Sequence, residues 1–124
     1  MKTDCVVLVV EDDAGIREVL TTLLQEIGYT AIAAANGIEA LAQLRSGTHR
    51  PCVILLDLWM PVMDGWRFRA EQRKDSSLAA IPVVALSGDG DSDEFDAAAH
   101  LRKPIELKPL ISTVERFCGP ARGP

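Results

Sequence analysis

The chain has 124 residues, of which 48% are hydrophobic and 25% are charged, so it has the length of one domain and can bury a core. Its 13 Lys and Arg against 18 Asp and Glu give a net charge of −5, which disfavours nucleic acid or an anionic membrane as a partner. The longest apolar run, residues 5–10, is far shorter than the roughly 20 residues of a membrane-spanning helix. The N-terminus has no signal-peptide pattern, and three cysteines without metal-ligand spacing are typical of a reducing compartment. The composition therefore predicts a soluble, cytoplasmic domain.

Apolar runs alternate with segments of helical periodicity in the first half of the chain. Residues 5–10 form an unbroken, largely β-branched run, which is typical of a strand covered on both faces. Apolar residues then recur at helical spacing over 16–27, and Gly28 is typical of a helix end. A short strand is predicted over 30–34, followed by a helix that Asn36 caps and that ends near residues 46–47.

The second half of the chain continues the alternation. The predicted elements are strands over 52–56, 81–86 and 100–102, and helices over 65–74 and 107–117. Residues 88–94 are acidic and rich in Gly, which indicates a loop, and residues 119–124 indicate a flexible tail or the start of a linker. Five strands separated by helical segments predict an α/β fold, a doubly wound parallel sheet with helices on both faces. We expect one domain over residues 1–118.

Polar residues follow four of the predicted strands at the point where each strand ends. In chain order they are Glu11, Asp12 and Asp13, then Asp57, then Ser87, and then Lys103. Parallel strands bring their carboxyl ends to one edge of the sheet, where carboxylates repel one another unless a cation compensates. Mg²⁺ prefers oxygen ligands and commonly joins carboxylates to a phosphate oxygen. The pattern therefore indicates phosphoryl transfer, with Asp57 as a nucleophile that forms an aspartyl phosphate.

At these residues the sequence resembles the receiver domain of two-component response regulators. The matching motifs are Val10-Glu11-Asp12-Asp13, Leu56-Asp57 with Met60-Pro61 and Met63-Asp64-Gly65, Ala85-Leu86-Ser87, and Lys103-Pro104. The resemblance covers residues 5 to about 118. It implies a chemotaxis-receiver-like domain with the flavodoxin-like strand order 2-1-3-4-5.

The resemblance also implies a role for each residue of the site. Asp57 is the expected phosphoacceptor, and Ser87 and Lys103 are expected to contact phosphoryl oxygens. The implied ligands of Mg²⁺ are Asp13 and Asp57 directly, Asp12 mainly through water, and the backbone carbonyl of Trp59. Pro104 is expected to follow a cis peptide bond.

Two parts of this set have a second interpretation when they are taken alone. Asp12 and Asp13 equally fit residues that cap a helix, because acidic side chains favour a helix N-terminus. Lys103 alone is more typical of a solvated strand end. Asp57 directly follows an apolar run and precedes Met60-Pro61, which favours a functional site.

Two features depart from the family pattern. Most receivers carry Tyr or Phe three positions before the lysine, at a switch position that is His100 here. We expect His100 to be a surface or partner-binding side chain. Only the twelve residues 88–99 connect the fourth and fifth strands, and a crossover with its helix needs about 10–12 residues. A fourth helix is therefore expected to be short or absent.

The sequence thus predicts a single-domain response regulator that depends on Mg²⁺. It would take a phosphoryl group from a sensor histidine kinase or a phosphotransfer protein and signal by contact with a downstream protein. It would catalyse its own phosphorylation and dephosphorylation, as a switch and not as a turnover enzyme. The alternative is a pseudo-receiver, an interaction module that phosphate does not switch. The short segment 88–99 favours that alternative, whereas Asp57, Ser87 and Lys103 oppose it.

Overall fold

The computed structural model describes residues 6–88 and 95–120, which form a parallel sheet flanked by helices. The elements are β1 (Val6–Val10), α1 (Ala14–Ile27), β2 (Thr30–Ala34), α2 (Gly37–Ser46), β3 (Val53–Asp57), α3 (Gly65–Lys74), β4 (Val83–Ser87), β5 (Ala99–Arg102) and α4 (Leu107–Cys118). The strand order is β2-β1-β3-β4-β5, and every neighbouring pair is parallel. This confirms the predicted α/β fold and strand order.

The three central strands, β1, β3 and β4, are buried along their whole length. Their apolar runs are unbroken because helices cover both faces of the sheet. On one face, Leu8 and Ile54 pack in a cluster with Phe68 of α3. On the other face, Val9 belongs to a cluster that contains Leu110 of α4. The central strands are thereby fixed between two layers, and their carboxyl ends form a stable edge.

The helix ends follow the sequence signals. The side chain of Asn36 accepts a hydrogen bond from the backbone N–H of Glu39 and caps α2, as predicted. Gly28 ends α1 with a φ of 119°, a conformation that suits glycine. Asp13 caps α1 by accepting a hydrogen bond from the N–H of Ile16. The Asp13 cap fixes where the loop between β1 and α1 ends.

The connection between β4 and β5 is described at its two ends. Residue 88 and residues 95–98 form no helix. Residues 89–94, most of the predicted loop and the part of the connection where a short fourth helix could begin, lie outside the described residues, as do residues 121–124 of the predicted tail. In the part of the chain that the structure describes, no helix combines the length and the apolar composition that a membrane crossing requires.

Candidate functional site

The carboxyl edge of the sheet gathers polar residues from four strands. Glu11 follows β1, Asp57 ends β3, Ser87 ends β4 and Lys103 follows β5. The backbone N–H of Lys103 donates to the carbonyl oxygen of Ser87 at 2.6 Å, which fixes the two strand ends side by side. A cavity of about 520 Å³ opens at this edge, and Glu11, Asp57 and Lys103 line it together with Trp59.

One lysine bridges two buried carboxylates in this cavity. The Nζ of Lys103 lies 3.1 Å from Oε1 of Glu11 and 3.2 Å from Oδ1 of Asp57. Glu11 is 1% exposed and Asp57 is 4% exposed, so water stabilises neither charge well. Two buried carboxylates with one ammonium group leave an excess of negative charge, which favours a further cation at this position.

The pKa values reflect that imbalance. Burial, together with the charge of Glu11 and a hydrogen bond to it, raises the pKa of Asp57 to about 7, although Lys103 acts in the opposite direction. Burial by itself lowers the pKa of Lys103, but Glu11 and Asp57 outweigh it and the pKa is raised. Lys103 is therefore a firmly charged partner, whereas Asp57 stands near the midpoint of its titration at neutral pH.

Three carboxylates converge in this part of the structure. Glu11, Asp12 and Asp57 each offer an oxygen atom, and these atoms all lie within 4.8 Å of one another. Asp13 lines the same cavity, and its Oδ1 accepts a hydrogen bond from the N–H of Ile16 at 3.0 Å. The capping interpretation of Asp13 is thus confirmed, whereas its role as a direct ligand of Mg²⁺ stays a prediction.

Sequence reasoning gave Glu11 no individual role, although it is the acid of the triplet after β1 that pairs with Lys103. Its Oε2 accepts a hydrogen bond from the backbone N–H of Asp13 at 3.2 Å, which folds the turn after β1 around the carboxylate. The signal was present in the sequence. Glu11 directly follows a fully buried strand, whereas Asp13 directly precedes a helix, where a capping acid is expected.

The other predicted residues occupy the following positions. The backbone N–H of Trp59 donates to Oδ1 of Asp57 at 3.4 Å, and the Trp59 side chain is largely exposed at the cavity. Ser87 is buried beside the acceptor strand. The peptide bond before Pro104 is cis, as expected. His100 is exposed on β5 and does not line the cavity.

The loop after Asp57 is tightly packed where α3 begins. The N–H of Gly65 donates to the carbonyl oxygen of Leu58 at 2.9 Å. A Cβ at Gly65 would lie 2.9 Å from Cα of Leu58, closer than real Cβ atoms approach backbone. Only glycine permits this contact, so the first residue of α3 rests directly on the acceptor strand.

These features define a flavodoxin-like α/β domain with an acidic site at the edge where ligands bind in such folds. The sequence matches the family described as response regulator receiver domain across residues 7–115, and the chain belongs to that family.

Proteins similar to this chain include much longer ones and ones of similar length. The chain is 39% identical over 111 residues to the probable transcriptional regulator ycf27 of Porphyridium aerugineum, covering 87% of this chain but only 45% of that protein. It is similar in structure to the chemotaxis protein CheY4 of Vibrio cholerae, with a TM-score of 0.83 and 33% identity, covering 93% of this chain and 99% of that one. The chain thus spans less than half of the first relative and nearly all of the second.

A second similar structure bears on the acidic cavity. It is the receiver domain of the sensor histidine kinase PA1611 of Pseudomonas aeruginosa PAO1, with a TM-score of 0.83, 25% identity, and coverage of 94% of this chain and 99% of that one. That receiver holds a magnesium ion coordinated in its active site cleft.

Proposed function

We propose that this chain is a phosphorylation switch of a two-component system, in which Asp57 accepts a phosphoryl group in a Mg²⁺-dependent reaction. The observation that carries the proposal is the bridge from Lys103 to Glu11 and Asp57 in one cavity at the carboxyl edge. The combination of a buried nucleophilic carboxylate and a fixed cation suits phosphoryl transfer, where catalysis is mainly positioning and charge neutralisation.

Mg²⁺ fits the donor set of the cavity. The converging oxygens of Glu11, Asp12 and Asp57 are hard ligands, and their excess negative charge is what a divalent cation would neutralise. The groups that would hold the ion are Asp13, Asp57 and the backbone carbonyl of Trp59, with Asp12 acting mainly through water. Glu11 pairs with Lys103. When bound, Mg²⁺ offsets the negative charge of the group being transferred.

The chain's own residues perform the transfer. An oxygen of the ionised Asp57 forms the new bond to phosphorus while the bond from phosphorus to the donor nitrogen breaks. The ammonium group of Lys103 pairs with one phosphoryl oxygen, and the hydroxyl of Ser87 donates to another. The ion pair with Lys103 favours the ionised form of Asp57 that the attack requires.

The partners follow from this chemistry. The phosphodonor is a phosphohistidine of a sensor histidine kinase or a phosphotransfer protein, which places the protein in the cytoplasm. The phosphorylated receiver signals to a downstream protein by surface contact, and its excess of acidic residues disfavours a nucleic-acid or membrane target. The receiver occupies residues 1–118, and residues 119–124 serve as a tail or linker.

The test is intact mass after incubation with phosphoramidate or acetyl phosphate. Wild-type protein should gain one phosphoryl group only with Mg²⁺ present, and Asp57→Asn should gain none. Asp12→Asn should lose the adduct, because it removes a carboxylate from the converging group. Asp13→Asn should lose the response of Trp59 fluorescence to Mg²⁺, and an unchanged titration would remove Asp13 as a ligand. Asp64→Asn is the matched control, since Asp64 caps α3 without lining the cavity and Asn caps a helix about as well as Asp.

The alternative function is that of a pseudo-receiver that binds partners without phosphorylation. Mg²⁺ binding followed by tryptophan fluorescence separates the two, because Trp59 lies at the cavity. A protein that binds Mg²⁺ but gains no adduct from either phosphodonor would be such an interaction module.

A further inference from the structure

Three aromatic side chains form a row that runs from the acidic cavity towards β5. Trp59 lines the cavity, and its ring centroid lies 4.7 Å from that of Trp66, with the ring planes 58° apart. Trp66 in turn meets Phe95 edge to face, with centroids 5.7 Å apart and planes at 84°. Tilted and edge-to-face pairs at these distances are favourable because of the ring quadrupoles. The row therefore connects the loop after the acceptor to the segment before β5.

The far end of the row is held against α3. Phe95 is 4% exposed and belongs to the core cluster on that face of the sheet. The next residue, Asp96, pairs with the guanidinium groups of Arg73 and, at 3.8 Å, Arg69. Both arginines lie on α3, the helix that also carries Trp66. Residues 95–96 are thus attached to α3 by a ring contact and by ion pairs.

The near end of the row is exposed to solvent. Trp66 is the second residue of α3, and Gly65 before it rests on the backbone of Leu58, so the position of Trp66 relative to β3 is fixed. Trp59 stands in the intervening loop with a relative exposure of 61%. The contact with the ring of Trp66 therefore restricts the exposed ring of Trp59.

We propose that Trp66 is a positioning residue, which holds Trp59 at the acidic cavity and couples that cavity to Phe95 ahead of β5. The inference rests on the proposed Mg²⁺ site, of which the carbonyl of Trp59 is a part. The row reaches the β5 side of the domain without using His100, which is exposed at the position where most receivers carry an aromatic switch.

The size of the effect follows from the contact. Without the ring of Trp66, the loop samples more conformations, and the apparent dissociation constant for Mg²⁺ rises in proportion to the loss of the competent fraction. The usual strength of an aromatic pair corresponds to about a three- to tenfold change. Coupling is reciprocal, so Mg²⁺ binding must also perturb the surroundings of Phe95.

The experiment uses the indole signals of a protein labelled with ¹⁵N. The chain has two tryptophans, so Trp66→Leu leaves the Trp59 signal alone to report Mg²⁺ titration. Trp66→Leu should weaken Mg²⁺ binding about three- to tenfold, and Trp66→Phe, which keeps an aromatic contact, should stay within about twofold of wild type. Leu78→Val is the matched control, because it destabilises the same core cluster outside the row and should leave the affinity unchanged.

A double-mutant cycle tests the far end. Phe95→Leu should shift the Trp59 indole signal and weaken Mg²⁺ binding, and adding it to Trp66→Leu should produce no further loss, because the path is already broken. Mg²⁺ should shift the backbone amides of Phe95 and Asp96 in wild type but not in Trp66→Leu.

Each result decides the question. Four results would overturn the proposal. The first two are an unchanged Mg²⁺ affinity in Trp66→Leu and a loss of affinity in Leu78→Val as large as the loss in Trp66→Leu. The other two are additive effects of Trp66→Leu and Phe95→Leu, and a wild-type protein that does not bind Mg²⁺. The mass experiment is independent of this one. If the variants change the Mg²⁺ affinity as expected but Asp57 gains no phosphoryl group, the coupling is supported and the phosphoacceptor function is refuted. If Asp57 gains the group but the variants leave the Mg²⁺ affinity unchanged, the phosphoacceptor function is supported and the coupling is refuted.

Discussion

Replacing Asp57 by Asn should stabilise the metal-free protein. Burial and Glu11 raise the pKa of Asp57 to about 7, from 3.8 for an unperturbed Asp. The native state therefore holds a proton more tightly than the unfolded state does, and the free energy of unfolding falls as the pH rises from about 4 to 7. An amide carries no charge and avoids this cost.

The magnitude follows from the shift. About three pKa units correspond to an upper bound of about 4 kcal/mol at pH 8. The Asn variant loses the ion pair with Lys103, but Lys103 keeps Glu11 as a partner at 3.1 Å. We therefore expect a net gain of about 2 kcal/mol, or about 8 °C in Tm for a chain of this size.

The assay is urea and thermal unfolding of both proteins by circular dichroism in EDTA, from pH 4 to 8. The advantage of Asp57→Asn should be full at pH 8, should shrink below pH 7 and should vanish near pH 4. Saturating Mg²⁺ should stabilise wild type and reduce the difference, because the ion binds the native carboxylates. A variant that is less stable than wild type at pH 8 in EDTA, or an advantage that does not change with pH, would refute the reasoning.

Three further predictions concern the loops and β5. Val62→Asn should raise the free energy of unfolding by about 1 kcal/mol in urea titrations. Val62 is exposed with a φ of 71°, a conformation that Asn tolerates better than a β-branched residue does. A loss of stability would contradict this. Gly65→Ala should cost about 1–3 kcal/mol by clashing with backbone. Gly37→Ala, whose Cβ meets the flexible side chain of Met63, should cost less, and equal losses would argue against the backbone contact. His100→Tyr should gain the phosphoryl group in the mass experiment as wild type does, since His100 does not line the cavity, and a missing adduct would show otherwise.

The sequence alone located the central strands and the residues at their ends. An unbroken apolar run has few alternatives to a strand covered on both faces, so β1, β3 and β4 lie within two residues of their predicted positions. The proximity of Asp57 and Lys103 could then be predicted, because parallel strands must bring their carboxyl ends together. Local signals also identified Asn36 as a cap, since capping depends on the three residues that follow it.

The assignment within the acidic triplet needed the tertiary structure. Glu11, Asp12 and Asp13 have similar chemistry, and their roles depend on where β1 ends and α1 begins. All three line the cavity, so the partner of each carboxylate depends on the exact path of the turn between β1 and α1. The structure places Glu11 with Lys103 and uses Asp13 as the cap.

The row of Trp59, Trp66 and Phe95 also could not be predicted from the sequence, because it depends on packing between separate elements. In the sequence, Trp66 is part of a weak helical stripe, and nothing local connects it to Trp59 or Phe95. The contacts form because Gly65 lets α3 approach the acceptor strand and because Asp96 pairs with Arg69 and Arg73. Patterns of neighbouring residues determine strands, caps and turns. Contacts between separate elements depend on how all the elements pack around the core, and no short stretch of sequence carries that information.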